Sequence, residues 1–176
     1  MHYLPTRIIY GENAVRKSFV YLNQIGKKAL IVTGKNSAKA SGALADVQNI
    51  LSQLKISFAL FDRVEENPVL ETVMAGASAF VENGFDFLIG IGGGSPIDTA
   101  KAISLTAANQ LDQSSIYDLS KFKKAYPVVA VPTTAGTGTE ATQYSVLTDA
   151  ATQKKAGFGH DLAFPALSLV DPKYTL

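Results

Sequence analysis

The segment that most constrains the fold is residues 87–101, where a short apolar run leads into three consecutive glycines and then a helical pattern. The apolar run predicts a strand buried on both faces, and Pro96 predicts the first turn of a helix, where proline is tolerated. Glycines let a phosphate approach the backbone without meeting a Cβ, and free N–H groups at a helix start favour an anion. Residues 92–95 therefore predict a phosphate-binding loop. The alternative is a tight strand-to-helix turn capped by Ser95.

The rest of the chain alternates apolar runs with amphipathic stretches, which is typical of a doubly wound, mostly parallel α/β sheet with helices on both faces. The glycine loop follows the third main strand and lacks the G-x-G-x-x-G spacing, so it is not the ordinary Rossmann fingerprint. Short runs in the second half predict a mixed or antiparallel edge. Main strands are predicted at 29–33, 57–61, 85–91 and 128–131, helices at 42–54, 69–83 and 96–109, and short strands at 143–148, 154–158 and 167–170.

The N-terminal residues 7–11 predict a short strand ahead of a helix at 12–25. An exposed strand at the edge of a sheet offers unpaired backbone groups to a second chain. A homodimer formed through this strand is therefore expected.

The composition narrows the class of protein. A length of 176 residues fits one domain, taken as 1–176, and the net charge of +1 with no basic or acidic run argues against a nucleic-acid partner. The lack of cysteine excludes disulfides and thiolate metal sites. No apolar stretch approaches a membrane span of about 20 residues, and no signal peptide is evident. We therefore expect a cytoplasmic protein without a membrane partner.

A second loop, residues 132–140, carries four threonine hydroxyls and two glycines directly after a predicted strand. Hydroxyls donate to phosphate, ribose and carboxamide groups without adding charge. Ligands of open α/β sheets bind at the carboxyl ends of the strands, where both this threonine loop and the glycine loop are predicted to lie. A flexible polar surface loop is the alternative.

Together the two loops resemble the iron-containing (group III) alcohol dehydrogenases. The matching residues are Gly-Gly-Gly-Ser-x-x-Asp-x-x-Lys at 92–101 and Pro-Thr-Thr-x-Gly-Thr-Gly-x-Glu at 132–140. Asn-Pro at 67–68 and Leu-Val-Asp-Pro at 169–172 fit the same pattern, so the resemblance covers essentially the whole chain. The glycine loop is shared with dehydroquinate synthases and glycerol dehydrogenases, whereas the threonine loop is more specific to the alcohol dehydrogenases.

The resemblance implies a set of contacts with a nicotinamide dinucleotide. These are Gly93, Gly94, Ser95 and Asp98 for the pyrophosphate and nicotinamide side, Asn67 and Pro68 for the cleft wall, Thr133, Thr134 and Thr137 for the adenine end and phosphates, Tyr144 and Val146 along the cofactor, and Lys155 for the ribose hydroxyls. At the third helical position, the Asp98 carboxylate could accept from backbone N–H groups. For Lys155 the alternative is a solvated strand lysine, since Lys154 stands beside it.

The choice between NAD and NADP depends on the end of the first main strand. Many relatives place an aspartate there, which binds the ribose diol of NAD and repels a 2′-phosphate, whereas this chain has Gly34. Lys35, Ser37 and Lys39 follow and could pair with a 2′-phosphate. We therefore expect NADP to be accepted and favoured over NAD. The alternative is that these are ordinary loop residues and both cofactors bind.

In the family that the chain resembles, a helical C-terminal domain follows the Asp-Pro segment and carries the Fe²⁺ or Zn²⁺ ligands, one aspartate and three histidines. This sequence stops near the point where that domain would begin, and its two histidines are His2 and His160. Asp161 is adjacent to His160, which is poor chelating geometry. We therefore assign no residue to a metal and none to catalysis.

The resemblance implies that the complete enzyme transfers hydride between the nicotinamide and a small alcohol or aldehyde, with the metal polarising the oxygen. This chain alone is expected to bind the cofactor without turnover. Three alternatives remain open: a stand-alone, regulatory nucleotide-binding protein, one half of a split enzyme, and a lyase or glycerol dehydrogenase related to the dehydroquinate synthases.

Overall fold

The computed structural model describes residues 3–150 and 154–175, and six of its strands form one sheet in which every pair is parallel. The strands in chain order are β1 (Arg7–Tyr10), β2 (Lys28–Gly34), β3 (Ser57–Val64), β4 (Phe87–Gly92), β5 (Val128–Pro132), β6 (Tyr144–Asp149), β7 (Lys154–Gly159) and β8 (Leu167–Val170). Across the sheet the order is β1-β8-β5-β4-β2-β3, and β6 and β7 pair separately as an antiparallel hairpin.

Helices cover both faces of the sheet, as the sequence predicted. They are α1 (Ala14–Lys17), α2 (Phe19–Ile25), α3 (Ser37–Ala40), α4 (Ala43–Gln53), α5 (Leu70–Glu82) and α6 (Gly94–Asn109). Alternate residues of each strand point to opposite faces: Leu30 and Leu88 join the core under α5 and α6, whereas Ile31 and Ile89 join the core under α1 to α4. The doubly wound, mostly parallel fold class is thus confirmed.

Helix α6 is the central element of the fold, with residues 96–108 all buried. It packs closely on β4 and α5 because glycines face it from both. A Cβ added to Gly90 would lie 3.0 Å from Ile97 Cα, and one added to Gly76 would lie 2.3 Å from Ile103 Cδ1. These close contacts fix the position of α6, whose first residues belong to the glycine loop.

The second half departs from the expected edge. Antiparallel strands are present, but they form the separate hairpin β6–β7 rather than an edge of the main sheet. The segment 167–170 is instead the interior parallel strand β8, between β1 and β5. Six consecutive pairs of residues hold the hairpin together, and the outer edge of β6 finds its partners on Pro68, Asp98 and Lys101 rather than on the main sheet.

The helix predicted at 12–25 is divided into α1 and α2 at Ser18. The buried Ser18 hydroxyl donates to the carbonyl of Val15 at 2.6 Å, which competes with continuation of the helix. Strand β1 lies at the edge of the sheet with Ile8 and Tyr10 exposed, and its pairing with a second copy stays a prediction. Within the described part of the chain, no helix is long and apolar enough to cross a bilayer.

Candidate functional site

A crevice opens where β2 and β4 lie side by side, because the chain leaves these two strands in opposite directions across the sheet. From β2 it continues to β3 at the edge, and from β4 it continues to β5 on the other side. Such a switch point is the usual ligand site of an open α/β sheet. The crevice has a volume of about 990 Å³ and is lined by Gly34, Lys35, Asn36, Ser37, Lys39, Asp62, Arg63, Val64, Glu65, Glu66, Gly93, Gly94, Ser95, Pro96 and Thr134.

The surrounding protein requires a glycine at only one of the three positions in the loop. Gly92 has φ +147°, and a Cβ on it would lie 2.7 Å from Pro96 Cγ, so the fold itself requires a glycine there. A Cβ on Gly93 would lie 3.4 Å from Thr134 Oγ1, and one on Gly94 would lie 3.8 Å from Thr137 Cγ2. Both distances are ordinary contacts. At these two positions no neighbouring protein atom requires a glycine.

The start of α6 carries no side-chain cap. The helix begins at Gly94 with Gly93 at the N-cap position, so the prediction that it opens at Pro96 was late by two residues. The alternative in which Ser95 caps the helix does not hold, because its hydroxyl donates to the carbonyl of Glu66 at 2.5 Å. The N–H groups of the first turn are therefore without a side-chain partner at the crevice, where an anion can accept from them.

The threonine loop lies against the glycine loop. The Thr133 N–H donates to the carbonyl of Gly92 at 2.8 Å, which continues the pairing of β5 with β4 beyond the strand ends. Thr134 lines the crevice. The Thr133 hydroxyl does not line it: this oxygen is buried without a hydrogen-bond partner in the described structure. Thr137 is exposed and lies beside Gly94, but it does not line the crevice.

A smaller pocket of about 170 Å³ adjoins the inner end of the crevice, with which it shares Glu66, Gly94 and Ser95. Its wall is formed by the turn before α5, the first turns of α6 and the outer face of the hairpin. The remaining lining residues are Asn67, Pro68, Asp98, Val146, Thr148 and Lys155. Eleven of the fourteen residues predicted for the cofactor site therefore line these two cavities.

Asp98 is held differently from the prediction. It is the fifth residue of α6 rather than the third, and its carboxylate accepts from the Thr139 hydroxyl and from the Val146 N–H at 3.0 Å, not from the N–H groups of its own helix. Burial raises the pKa of this carboxyl, while the Thr139 hydroxyl, the Lys101 ammonium and the Val146 N–H act in the opposite direction. Asp98 thus joins α6 to the hairpin at the wall of the smaller pocket.

Tyr144 was predicted to lie along the cofactor, but the structure places it outside both cavities. The residue is 58% exposed. The ring covers Gly159 on the neighbouring strand, where a Cβ would lie 2.5 Å from Tyr144 Cε1. Val146 is two residues farther along the same face and does reach the smaller pocket.

The outer end of the crevice combines lysines with carboxylates that sequence reasoning missed. Lys39 Nζ lies 3.6 Å from Asp62 Oδ2, and both side chains are about half exposed. Glu65 accepts from the Thr72 hydroxyl with both carboxylate oxygens. The full set of charged lining residues is Lys35, Lys39, Arg63, Asp62, Glu65 and Glu66, so formal charges balance. Sequence reasoning missed these carboxylates because it ended the strand at residue 61. Strand β3 continues to Val64, which brings the acidic residues at 62, 65 and 66 to the carboxyl edge of the sheet.

The described residues do not fit a metal site. Among residues 3–150 and 154–175, no group of three His, Asp or Glu side chains could hold an ion. His160 Nδ1 accepts from the Leu162 N–H, and its ring packs on Phe122. His2 lies outside the described residues.

Sequence comparison matches residues 5–172 to the family described as iron-containing alcohol dehydrogenase. The chain is 34% identical to the NADH-dependent butanol dehydrogenase A of Clostridium acetobutylicum over 98% of its own length and 44% of that protein. It is 36% identical to the NAD-dependent methanol dehydrogenase of Bacillus methanolicus, over 97% of its own length and 45% of that protein. The chain thus spans less than half the length of these relatives.

Solved structures show the same relationship. An iron-containing alcohol dehydrogenase from Thermotoga maritima superposes with a TM-score of 0.93 at 43% identity, covering 99% of this chain and 48% of that one. A sulfoacetaldehyde reductase from Bifidobacterium kashiwanohense, solved in complex with NAD⁺, has a TM-score of 0.84 at 28% identity and covers 99% of this chain and 46% of that one. The resemblance seen in the two loops is confirmed, and the chain belongs to the iron-containing alcohol dehydrogenase family.

Proposed function

We propose that this chain is the part of an alcohol dehydrogenase that binds a nicotinamide dinucleotide. The observation that carries the proposal concerns Gly93 and Gly94. The surrounding protein would accept a Cβ at both positions, so the glycines are not needed for packing, and their bare backbone is available to a phosphate. The uncapped start of α6 adds N–H groups that favour the pyrophosphate. Relatives of this chain are named as NADH- or NAD-dependent dehydrogenases, which supports the same cofactor class.

The two cavities suggest how the cofactor lies. The pyrophosphate would sit at Gly93 and Gly94, where the cavities meet. The adenosine would extend toward Gly34 at the outer end, because the larger cavity lies there. The nicotinamide would reach the smaller pocket, where Asp98 and Lys155 offer an acceptor and a donor.

The whole protein would transfer hydride between the nicotinamide and a small alcohol or aldehyde. Iron, for which the family is named, would supply a Lewis acid that polarises the substrate oxygen, but the described residues do not form a site for it. The role that this chain can perform with its own side chains is to bind and orient the cofactor. We therefore propose binding without turnover for the 176-residue chain alone.

We further propose that NADP is bound, and bound more tightly than NAD. No carboxylate occupies position 34, and Lys35 and Lys39 line the same end of the cavity. Asp62 works against this preference because it pairs with Lys39. The pair is half exposed and is therefore weak, so a 2′-phosphate can compete for the lysine.

The test is a fluorescence titration of the purified chain with NADPH and, separately, with NADH. Saturable binding of either, competed by the oxidised cofactor, supports the proposed cofactor site, and a lower Kd for NADPH supports the preference. Tighter binding of NADH would overturn the preference alone. Absence of binding to both would overturn the proposed function, and sustained alcohol oxidation by the chain would overturn binding without turnover.

A further inference from the structure

Lys101 is a charged residue in the middle of α6 to which the proposed cofactor site assigns no contact. Its side chain is completely buried, and it lines neither the crevice nor the smaller pocket. Lysine is almost never fully buried unless its ammonium is paired. The partners of this ammonium therefore show what it does.

The Lys101 ammonium is surrounded by oxygens from one short segment, residues 139–144, which connects the threonine loop to the hairpin. Four oxygens lie within hydrogen-bonding distance of its Nζ and share its three N–H groups: the Thr139 carbonyl at 2.7 Å, the Thr139 hydroxyl at 2.8 Å, the Thr142 carbonyl at 2.9 Å and the Tyr144 carbonyl at 2.8 Å. The Asp98 carboxylate lies 3.7 Å away on the same helix. One ammonium thus holds three residues of a segment that leads into β6 and in which only Tyr144 pairs within a sheet.

The charge state of Lys101 is consistent with this role. Burial lowers the pKa of its ammonium to about 8, and the carboxylates of Asp98 and Glu140 offset part of that effect. The side chain is therefore protonated at neutral pH and can donate all of its hydrogens. Burial of this charge is unfavourable by itself, and the oxygens of residues 139–144 around Nζ compensate for the water that it loses.

The segment held by Lys101 also positions the wall of the smaller pocket. The Thr139 hydroxyl donates to one oxygen of Asp98, and the Val146 N–H donates to the other. The Ser145 hydroxyl donates to the Asp98 carbonyl at 2.9 Å, which anchors the hairpin to α6 at the same place. A shift of residues 139–144 would therefore move Asp98 and Val146 together.

We propose that Lys101 is a positioning residue that fixes residues 139–144 on α6 and thereby shapes the smaller pocket for the nicotinamide end of the cofactor. The inference rests on the proposed function for the identity of the ligand, but the fixing of the segment is independent of it. Lys101 acts through Asp98 and Val146 and does not touch the cofactor itself.

The test compares Lys101→Met, which keeps the approximate length of the side chain but removes its charge, with Ser104→Ala. Ser104 lies one turn farther along α6, is also buried, and donates to the Tyr126 carbonyl at 2.6 Å, far from the hairpin segment. Hydrogen–deuterium exchange of the apo proteins reports on residues 139–148. Affinity is measured for NADPH and for 2′,5′-ADP, which lacks the nicotinamide half.

For Lys101→Met we expect faster exchange at 139–148 and a Kd for NADPH raised by at least about tenfold, the loss that accompanies one displaced hydrogen bond, with the Kd for 2′,5′-ADP unchanged. Ser104→Ala should change neither. Unaltered exchange at 139–148 in Lys101→Met, or equal weakening of both ligands, would overturn the proposal. If wild type binds neither ligand, the proposed function fails, while the exchange measurement still decides whether Lys101 fixes the segment.

Thr139→Val provides a second test in case Lys101→Met does not fold. The change removes the hydroxyl that accepts from Lys101 and donates to Asp98 while keeping the shape of the side chain. We expect the same selective loss of NADPH affinity and faster exchange at 139–148, both smaller than for Lys101→Met. Wild-type behaviour in both measurements would overturn the proposal.

Discussion

Replacing Gly94 by alanine should separate cofactor binding from folding. An added Cβ would lie 3.8 Å from Thr137 Cγ2, which is an ordinary contact, and no other steric barrier arises. Gly94 is the first residue of α6, and alanine loses less conformational freedom than glycine on folding. The free energy of unfolding should therefore stay unchanged or rise, by at most about 1 kcal/mol.

The same methyl group would point toward the space proposed for the pyrophosphate. Loss of one hydrogen bond to a charged group corresponds to about 1.5–3 kcal/mol, or a roughly ten- to hundredfold higher Kd. We therefore expect Gly94→Ala to weaken NADPH binding by that factor in a fluorescence titration. Urea unfolding followed by circular dichroism measures the stability of the same sample.

Gly92→Ala is the matched control, since it places the same methyl group two residues earlier in the loop. With φ +147° and a Cβ 2.7 Å from Pro96 Cγ, it should lower the free energy of unfolding by about 1–3 kcal/mol. The reasoning is refuted if Gly94→Ala binds NADPH within twofold of wild type, or if it is destabilised as much as Gly92→Ala.

Three further predictions follow from the packing and the charges. Gly76→Ala would drive a Cβ to 2.3 Å from Ile103 Cδ1 and should destabilise the fold by about 1–3 kcal/mol in urea unfolding, as overpacking does; wild-type stability would contradict the contact. Burial lowers the pKa of Lys101 from 10.5 to about 8, so between pH 8 and pH 10.5 the unfolded chain binds one more proton here than the folded chain does. The free energy of unfolding should therefore rise by up to ~3 kcal/mol as the pH increases through that range. This rise, measured by urea unfolding at each pH, should be absent from Lys101→Met. Asp62→Asn frees Lys39 from its pair and should lower the Kd for NADPH relative to NADH by a few-fold at low salt; an unchanged ratio would exclude Lys39 from phosphate binding.

The sequence located the main strands because their apolar runs are short, continuous and followed by turn residues. The runs at 29–33 and 128–131 became the cores of β2 and β5. The position of the glycine loop between a strand and a helix was also predicted correctly, since the loop directly follows the apolar run of β4 and leads into α6. Boundaries were less accurate: β3 continues three residues past its predicted end, because parallel pairing with β2 extends a strand beyond its apolar residues.

The local sequence pattern could not show which strands and helices pack next to one another in the fold. The run at 167–170 looks like an edge strand, but it is interior because β1 pairs with its far side. Likewise Asp98 was predicted to serve its own helix, whereas its partners are on residues 139 and 146, more than forty positions away. Such contacts depend on how the chain crosses the sheet, which no short window of sequence contains.

The sequence by itself determined the fold class and the family, because these depend on local periodicity and short motifs, and it predicted phosphate binding at the glycine loop on the same basis. Only the tertiary structure decided which glycines the fold requires, how the lysines at the outer end of the crevice are balanced by carboxylates, and that Lys101 is buried. The physical reason is that burial and electrostatic pairing are properties of three-dimensional neighbours. A lysine in the middle of a helix is solvated or enclosed according to what packs above it, and here residues 139–144 enclose it.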